Sequence, residues 1–225
     1  MFKEKIATGV YERSDASSFS MVLHPEKEWF APACVWFVAP QCVIICNAAI
    51  KPFVDQFVVG IAACSCYSML DLLVSYDHRT LDAISRDLTS FQSPLGALRD
   101  MTLPQGSTNT ITIFHGDVMF ILDLEPEIPN VAKPFLDDTA VKGPPLHYET
   151  LIGGSETIPN NHEICHFIWE HHNNVHQVFH QLGHAGTTVS VRKVLLAVPE
   201  VIVLGHKCMY KGCIPNNSKV VKVCT

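Results

Sequence analysis

Charge is scarce in this sequence: only 17% of its 225 residues are Asp, Glu, Lys or Arg, and the net charge is −6. A uniformly basic nucleic-acid-binding surface is thereby excluded, because phosphate contacts draw on clustered Lys and Arg. Disorder is excluded as well. It requires low hydrophobicity and high net charge, whereas 48% of this chain is hydrophobic. The opening MFKEKIATGVYERSD has no apolar signal core, so the chain is expected to be intracellular and not secreted. No membrane span is expected either. The most hydrophobic stretch, 31–50, is interrupted by two prolines, an Asn and a Gln, where a spanning helix needs roughly 20 apolar residues. Internal repeats, low-complexity tracts and C-x-x-C are all missing. The nine cysteines therefore read as buried thiols rather than disulfides or thiolate zinc sites, with Cys208 and Cys213 expected to be free.

What remains has the texture of a globular chain from Lys51 onward. Residues 1–19 are polar and turn-rich, and 20–50 show neither helical nor strand periodicity. Phe53, Val54, Phe57 and Val58 recur at helical spacing, and Tyr67 to Val74 reads as a buried strand. A Ser93-Pro94-Leu95-Gly96 turn separates two short strand-like runs within 88–103. A helix is expected over 106–124, and a hairpin with an acidic tip over 131–142. A Gly/Pro-rich loop over about 143–161 is expected to be flexible. A second long helix follows over 167–182, and then two strands, VSVRKVLL and EVIVLGHKC. Strands and helices alternate irregularly, which predicts an α+β fold with a small antiparallel sheet backed by helices.

Three segments carry the chemistry: Met69-Leu70-Asp71-Leu72-Leu73-Val74-Ser75-Tyr76-Asp77, Leu103-Pro104-Gln105-Gly106-Ser107-Thr108-Asn109, and Phe135-Leu136-Asp137-Asp138. Phosphoryl transfer onto a sugar hydroxyl uses two divalent cations roughly 4 Å apart. Mg²⁺ takes hard oxygen ligands, one or two of them carboxylates. An Asp at a strand end and an Asp pair at a hairpin tip can supply such a set. Alone, an Asp-Asp at a turn is ordinary turn chemistry, and Pro-x-Gly before a helix is an ordinary helix start.

In this order and spacing, the three segments resemble the reverse transcriptases of gypsy-type LTR retrotransposon polyproteins, whose motifs read F-D-L-x-x-G-Y, L-P-F-G-L-x-N and Y-x-D-D. SRDLTSFQSPLGALR and VIVLGHKCMYKGCIPNNSKV extend the resemblance over 51–225, and it covers 5–19 more loosely. The resemblance implies a fingers/palm architecture, with 1–50 as partial fingers and 51–225 as palm, and with thumb and ribonuclease H segments absent. It implies template-directed DNA synthesis on an RNA or DNA template-primer with deoxynucleotides. Asp71, Asp137 and Asp138 would be the catalytic ligands of Mg²⁺ or Mn²⁺. Tyr76 would be the gate against a ribose 2′-hydroxyl, and Gln105 and Gly106 would lie beside nucleotide and template. Lys193 would approach the triphosphate, and Gly205 would sit in the primer-grip region. Other polyprotein segments or a second chain would be partners. On composition alone, Tyr76 could equally be a packed core aromatic and Lys193 a solvated strand lysine.

The departures from the pattern imply an impaired enzyme. The family's fingers carry K-K-D-G-x-x-R-x-V-x-D, whose cations meet the charge of the incoming triphosphate. Aligned backward from Lys51-Pro52, its Arg falls on Pro32 and its Asp on Trp36. Residues 20–47 read as that segment in a shifted frame, since shifting a back-translated family segment gives runs close to EWFAP and APQC. Coding DNA in which neither alternative frame restores the pattern would overturn this. Leu70, Ser75, Gln105 and Phe135 also depart from the motifs, and Asp77 adds a like charge that would raise nearby carboxylates if close.

Two non-polymerase assignments stay open: an inactive retroelement remnant and a His-rich metal-binding module. His162, His166, His171, His172, His176, His180 and His184 crowd one segment with Cys165. His172, His176 and His180 recur at i, i+4, i+8 and form one stripe of a helix, where a pair can chelate Zn²⁺ if a third ligand approaches. A solvated polar face accounts for the same spacing.

Overall fold

Where apolar residues recur at a clear period, the computed structural model forms the element that the period predicts; it describes residues 2–15, 53–73, 75–136, 138–151 and 153–216. The proposed frame-shifted stretch 20–47 and Asp137 lie outside the described residues. The elements begin with α1 (Phe2–Ala7), β1 (Tyr11–Arg13), α2 (Val54–Ile61), β2 (Tyr67–Leu73) and α3 (Ala83–Arg86). Next come β3 (Phe91–Ser93), β4 (Gly96–Asp100), α4 (Thr110–Asp123), α5 (Ile128–Val131), β5 (Ala132–Phe135) and β6 (Asp138–Lys142). Then follow β7 (Thr157–Ile158), β8 (Asn161–Cys165), α6 (His166–His184), β9 (Thr188–Val189) and β10 (Leu195–Val198). β11 (Glu200–Val203), β12 (His206–Met209) and β13 (Gly212–Pro215) close the series. The strand pairs are antiparallel, and the fold is α+β as expected. It divides into two units, one of Met1–Ala49 and Val74–Gly116, the other of Ile50–Leu73 and Asp117–Thr225.

In the first unit the sheet order is β1-β4-β3. Val10, Tyr11, Phe91 and Leu98 form its core, and Phe2 and Ile6 pack onto it. Phe2 and Ile6 stand four apart, so α1 presents one apolar stripe. The expectation of turns alone over 1–19 missed this helix, which gains its stability from the sheet beneath it. At the β3–β4 turn, Ser93 Oγ donates to the Gly96 carbonyl and accepts from the Leu95 amide. Gly96 has φ +104°, a conformation glycine adopts without strain. The helix expected from Gly106 starts at Thr110 instead. Gly106 has φ +91°, and successive turns run from Pro104 to Ser107 and from Ser107 to Thr110. The Thr110 hydroxyl spans both turns by donating to the Pro104 carbonyl at 2.7 Å.

In the second unit β10, β2, β6 and β5 lie side by side, with β9 also pairing β2. Residues of alternating parity point to opposite faces of β2. Tyr67 and Met69, on the parity of Asp71, join Phe57, Val58, Ile61, Ala140, Val201, Val203 and Cys208 in one buried cluster. The face that carries Asp71 is therefore covered at its Tyr67 end by α2 and β11–β12, rather than lying open along its length. On the other parity, the Ser68 hydroxyl meets His171 Nε2 of α6 at 2.7 Å, and the Ala197 amide of β10 donates to the same hydroxyl at 3.0 Å. Val175, Val178 and Leu182 complete the buried side of α6.

Two strand expectations need correction. VSVRKVLL is not continuous: the amides of Lys193 and Val194 both donate to the Ser190 carbonyl, and the resulting turn separates β9 from β10. Both flanks still pair with β2, through Leu72↔Val189 and Met69↔Leu195. EVIVLGHKC is likewise a hairpin, turning at Leu204 and Gly205 with φ +50° and +74°. Positive φ at both central residues belongs to the tight turns that match strand twist. Among the described residues Cys64, Cys66, Cys165, Cys208 and Cys213 are free; Cys64, Cys66 and Cys208 are buried as expected, whereas Cys165 and Cys213 are half-buried. Burial pushes the Cys66 and Cys208 thiols up to about 11, which suppresses the reactive thiolate.

Candidate active site

The second unit brings three of the sequence-derived site residues together: Asp71, Asp138 and Lys193. Asp71 lies directly opposite Asp138 in the β2–β6 register, where cross-strand Cβ atoms are about 4.5–5.5 Å apart. The β5–β6 hairpin delivers Asp138 by turning at Leu136, which has φ +62°. That conformation is uncommon for a non-glycine residue. Asp71 is 8% exposed, whereas Asp138 at the strand start is exposed. Asp137, the third carboxylate of the expected set, lies outside the described residues.

Lys193 reaches Asp71 because the β9–β10 turn interrupts strand pairing beside it. The Ser190 amide donates to the Asp71 carbonyl at 2.8 Å. Lys193 Nζ then donates to Asp71 Oδ1 at 3.0 Å. One ammonium thus meets a carboxylate whose cross-strand partner is another carboxylate. Like charges opposite one another destabilise a sheet, and hard oxygen donors at this spacing suit a divalent cation. Asp71 and Asp138 therefore fit the role of metal ligands. Among the described residues, no three His, Cys, Asp or Glu side chains are grouped to hold a metal ion, so a complete carboxylate set needs Asp137.

The remaining site residues belong to the first unit. Tyr76, in the 3-10 turn of Ser75–His78, is half-buried and its ring packs on Phe114 of α4 at a centroid distance of 5.0 Å. Gln105 is half-buried and Gly106 exposed, in the loop ahead of α4. That loop borders a pocket of about 190 Å³ lined by Leu81, Leu88, Thr89, Leu103, Pro104 and Ile113, among others. Asp77 pairs with Lys5 at 3.5 Å, and its like charge falls on Asp100, whose carboxyl is raised to about 7 chiefly by burial.

Sequence reasoning placed His171 in the His-rich crowd but missed its job, which is to tie α6 to β2. Its burial, with a smaller push from His172, lowers its pKa, against an upward pull from the Lys142 backbone. Only the i, i+4 relation of His171 to the apolar Val175 could have separated it from its exposed neighbours. His172, His176 and His180 are exposed, as a solvated face would be. No helix among the described residues is long and apolar enough to cross a membrane.

No protein-family model matches the chain. Over 168 residues, 75% of this chain, it is 27% identical to the Retrovirus-related Pol polyprotein from transposon 412 of Drosophila melanogaster, of which it spans 12%. A foamy viral protease-reverse transcriptase in complex with double-stranded DNA shares its fold with a TM-score of 0.75 at 20% identity, over 98% of this chain and 35% of that one. The foamy viral enzyme in complex with an RNA/DNA hybrid gives a TM-score of 0.74 at 19% identity, over 100% of this chain and 27% of that one. The chain thus spans well under half the length of each of these proteins. It shares the fold of the foamy viral protease-reverse transcriptases, and its sequence is similar to part of a retrovirus-related Pol polyprotein.

Proposed function

We propose that this chain carries the palm of a reverse-transcriptase-like DNA polymerase, working by two-metal nucleotidyl transfer, with its activity impaired by the fingers sequence. The observation that carries this is Asp71 opposite Asp138 across β2–β6, with the Lys193 ammonium 3.0 Å from Asp71. In the proposal Asp71, Asp137 and Asp138 hold Mg²⁺ or Mn²⁺. When bound, the ions would lower the pKa of the attacking 3′-hydroxyl and offset charge on the leaving pyrophosphate. Lys193, on an exposed turn and paired with Asp71, would approach the triphosphate when bound ions neutralise the carboxylates. Tyr76, braced by Phe114, stands against the sugar and excludes a 2′-hydroxyl. Gln105 and Gly106 line the template side. A template-primer, deoxynucleotides and other polyprotein segments or a second chain are the partners, with 1–50 as fingers and 51–225 as palm. The gypsy-type motifs support this assignment.

Impairment follows from Pro32 and Trp36 at the positions where the family's fingers carry Arg and Asp. Transition-state charge on the phosphoryl group has to be met by preorganised cations, and the stretch 28–47 contains no Lys or Arg. The experiment is primer extension on an RNA template with Mg²⁺ or Mn²⁺, paired with electron paramagnetic resonance of bound Mn²⁺. Slow incorporation that disappears in Asp71→Asn and Asp138→Asn is expected. Incorporation unchanged in both variants would place the chemistry elsewhere. Rapid incorporation by the unaltered chain would overturn the impairment. Absence of both incorporation and Mn²⁺ binding in a folded sample would sink the palm assignment itself.

A further inference from the structure

We infer that His180 and His184, near the C-terminal end of α6, form a two-point chelate for a borderline transition-metal ion such as Ni²⁺ or Zn²⁺, separate from the carboxylate site. Both side chains are exposed. Their Nε2 atoms lie 3.2 Å apart because residues four apart stand one above the other on a helix. Two nitrogens at that separation, each at the usual 2.0–2.1 Å from an ion, subtend about 100° at it, close to the tetrahedral angle. In the metal-free chain the contact needs a proton on one of the two facing nitrogens, and the ion takes that proton's place. The rings are nearly perpendicular, with centroids 4.3 Å apart. Seating one ion between them opens the centroids to roughly 5 Å, which exposed imidazole torsions supply at little cost.

Two features select this pair over the rest of the stripe. The rings of His176 and His180 are nearly parallel at 6.3 Å, and His172 stacks on Trp169 at 5.9 Å. Neither arrangement directs two nitrogens at one point. His184 also lies in the last turn of a 19-residue helix, where the partial negative charge of the unpaired carbonyls favours a cation. No third protein ligand joins them among the described residues, so the other coordination positions go to water or to an external ligand. Affinity is accordingly modest, and the bound ion stays accessible.

The test is calorimetric titration of the untagged chain with Ni²⁺, which suits imidazole better than thiol ligands. One equivalent is expected, weakened at least about tenfold by His180→Ala and by His184→Ala, since loss of a direct ligand costs no less than loss of its supporting shell. His172→Ala should leave binding unchanged. Both altered positions are exposed, so circular dichroism should report an intact helix in every variant. Binding that survives His180→Ala and His184→Ala, or no binding at millimolar Ni²⁺, overturns the inference. Asp71→Asn must not change Ni²⁺ binding; if it does, the ion is held at the carboxylates instead.

Discussion

Asp100 shows how a single residue can set the pH response of its surroundings. It ends β4 and is 7% exposed. Desolvation raises its carboxyl to about 7 from 3.8, with a downward pull from Lys5 and an upward push from Asp77. Between those two values the folded chain holds a proton that the unfolded chain has released, so stability falls as pH rises through that window. Asp100→Asn removes the proton from the balance. The variant should be more stable than the parent at pH 8, by up to about 4 kcal/mol, and should converge with it near pH 4. Urea midpoints at the two pH values check this; an equal offset at both would mean that Asp100 acts by packing rather than charge. At the carboxylate pair, Lys193→Gln leaves Asp71 opposite Asp138 without the ammonium that Lys193 brings to Asp71. Because Lys193 is 68% exposed, the loss should be small, about 1 kcal/mol or less. Thermal unfolding in chelator should show that loss, and Mn²⁺ should restore it in the variant more than in the parent. Equal Mn²⁺ responses would argue against a cation site at Asp71.

At the scale of elements, β2 was legible as an apolar run, the β5–β6 hairpin by its acidic tip and α6 by its helical spacing of apolar residues. The grouping of Asp71 with Asp138 was expected from motif order, whereas the register that sets one against the other carries no local signal. What was not legible depended on contacts made elsewhere. α1 is a six-residue helix that needs the sheet below it. The break in VSVRKVLL is invisible in a run rich in valine and leucine, since it arises from the Ser190 carbonyl accepting two amides. The late start of α4 arises from a backbone conformation at Gly106 that the sequence permits but does not dictate. The junction after β6 is a further case. A Cβ added at Gly143 would stand 2.6 Å from Cys66 Sγ and 2.9 Å from the Cys66 carbonyl oxygen. The Gly143 amide also donates to that carbonyl at 2.8 Å, so neither strand can retreat without breaking the bond. Gly143→Ala should therefore destabilise the second unit by about 1–3 kcal/mol, the usual cost of overpacking. Denaturant unfolding should show a lower midpoint at unchanged slope. A midpoint equal to the parent's would mean that the Cys66 region yields freely.

For the whole molecule, the two units carry titrating groups of opposite sense. In the first, Asp100 binds its proton more tightly folded than unfolded, so that unit loses stability as pH rises toward 7. In the second, His171 is buried between α6 and β2, and its pKa is lowered mainly by desolvation. The unfolded chain therefore takes up a proton at His171 first. Stability contributed by neutral His171 is fully present above its ordinary value of 6.5 and is lost as pH falls below it. Protonation places hydrogens on both ring nitrogens, so Nε2 can then only donate to the Ser68 hydroxyl, which already accepts from Ala197. The joint between α6, β2 and β10 should loosen as a group. Hydrogen exchange at pH 5 and pH 8, corrected for intrinsic rates, should therefore change in opposite directions across the chain. Protection of β1, β3 and β4 should be lower at pH 8, and protection of β2, β10 and the middle of α6 lower at pH 5. His171→Phe should abolish the second change while leaving the first. If both units lose protection at the same pH, the titrations of Asp100 and His171 do not govern their separate stabilities, and the chain opens as one cooperative body.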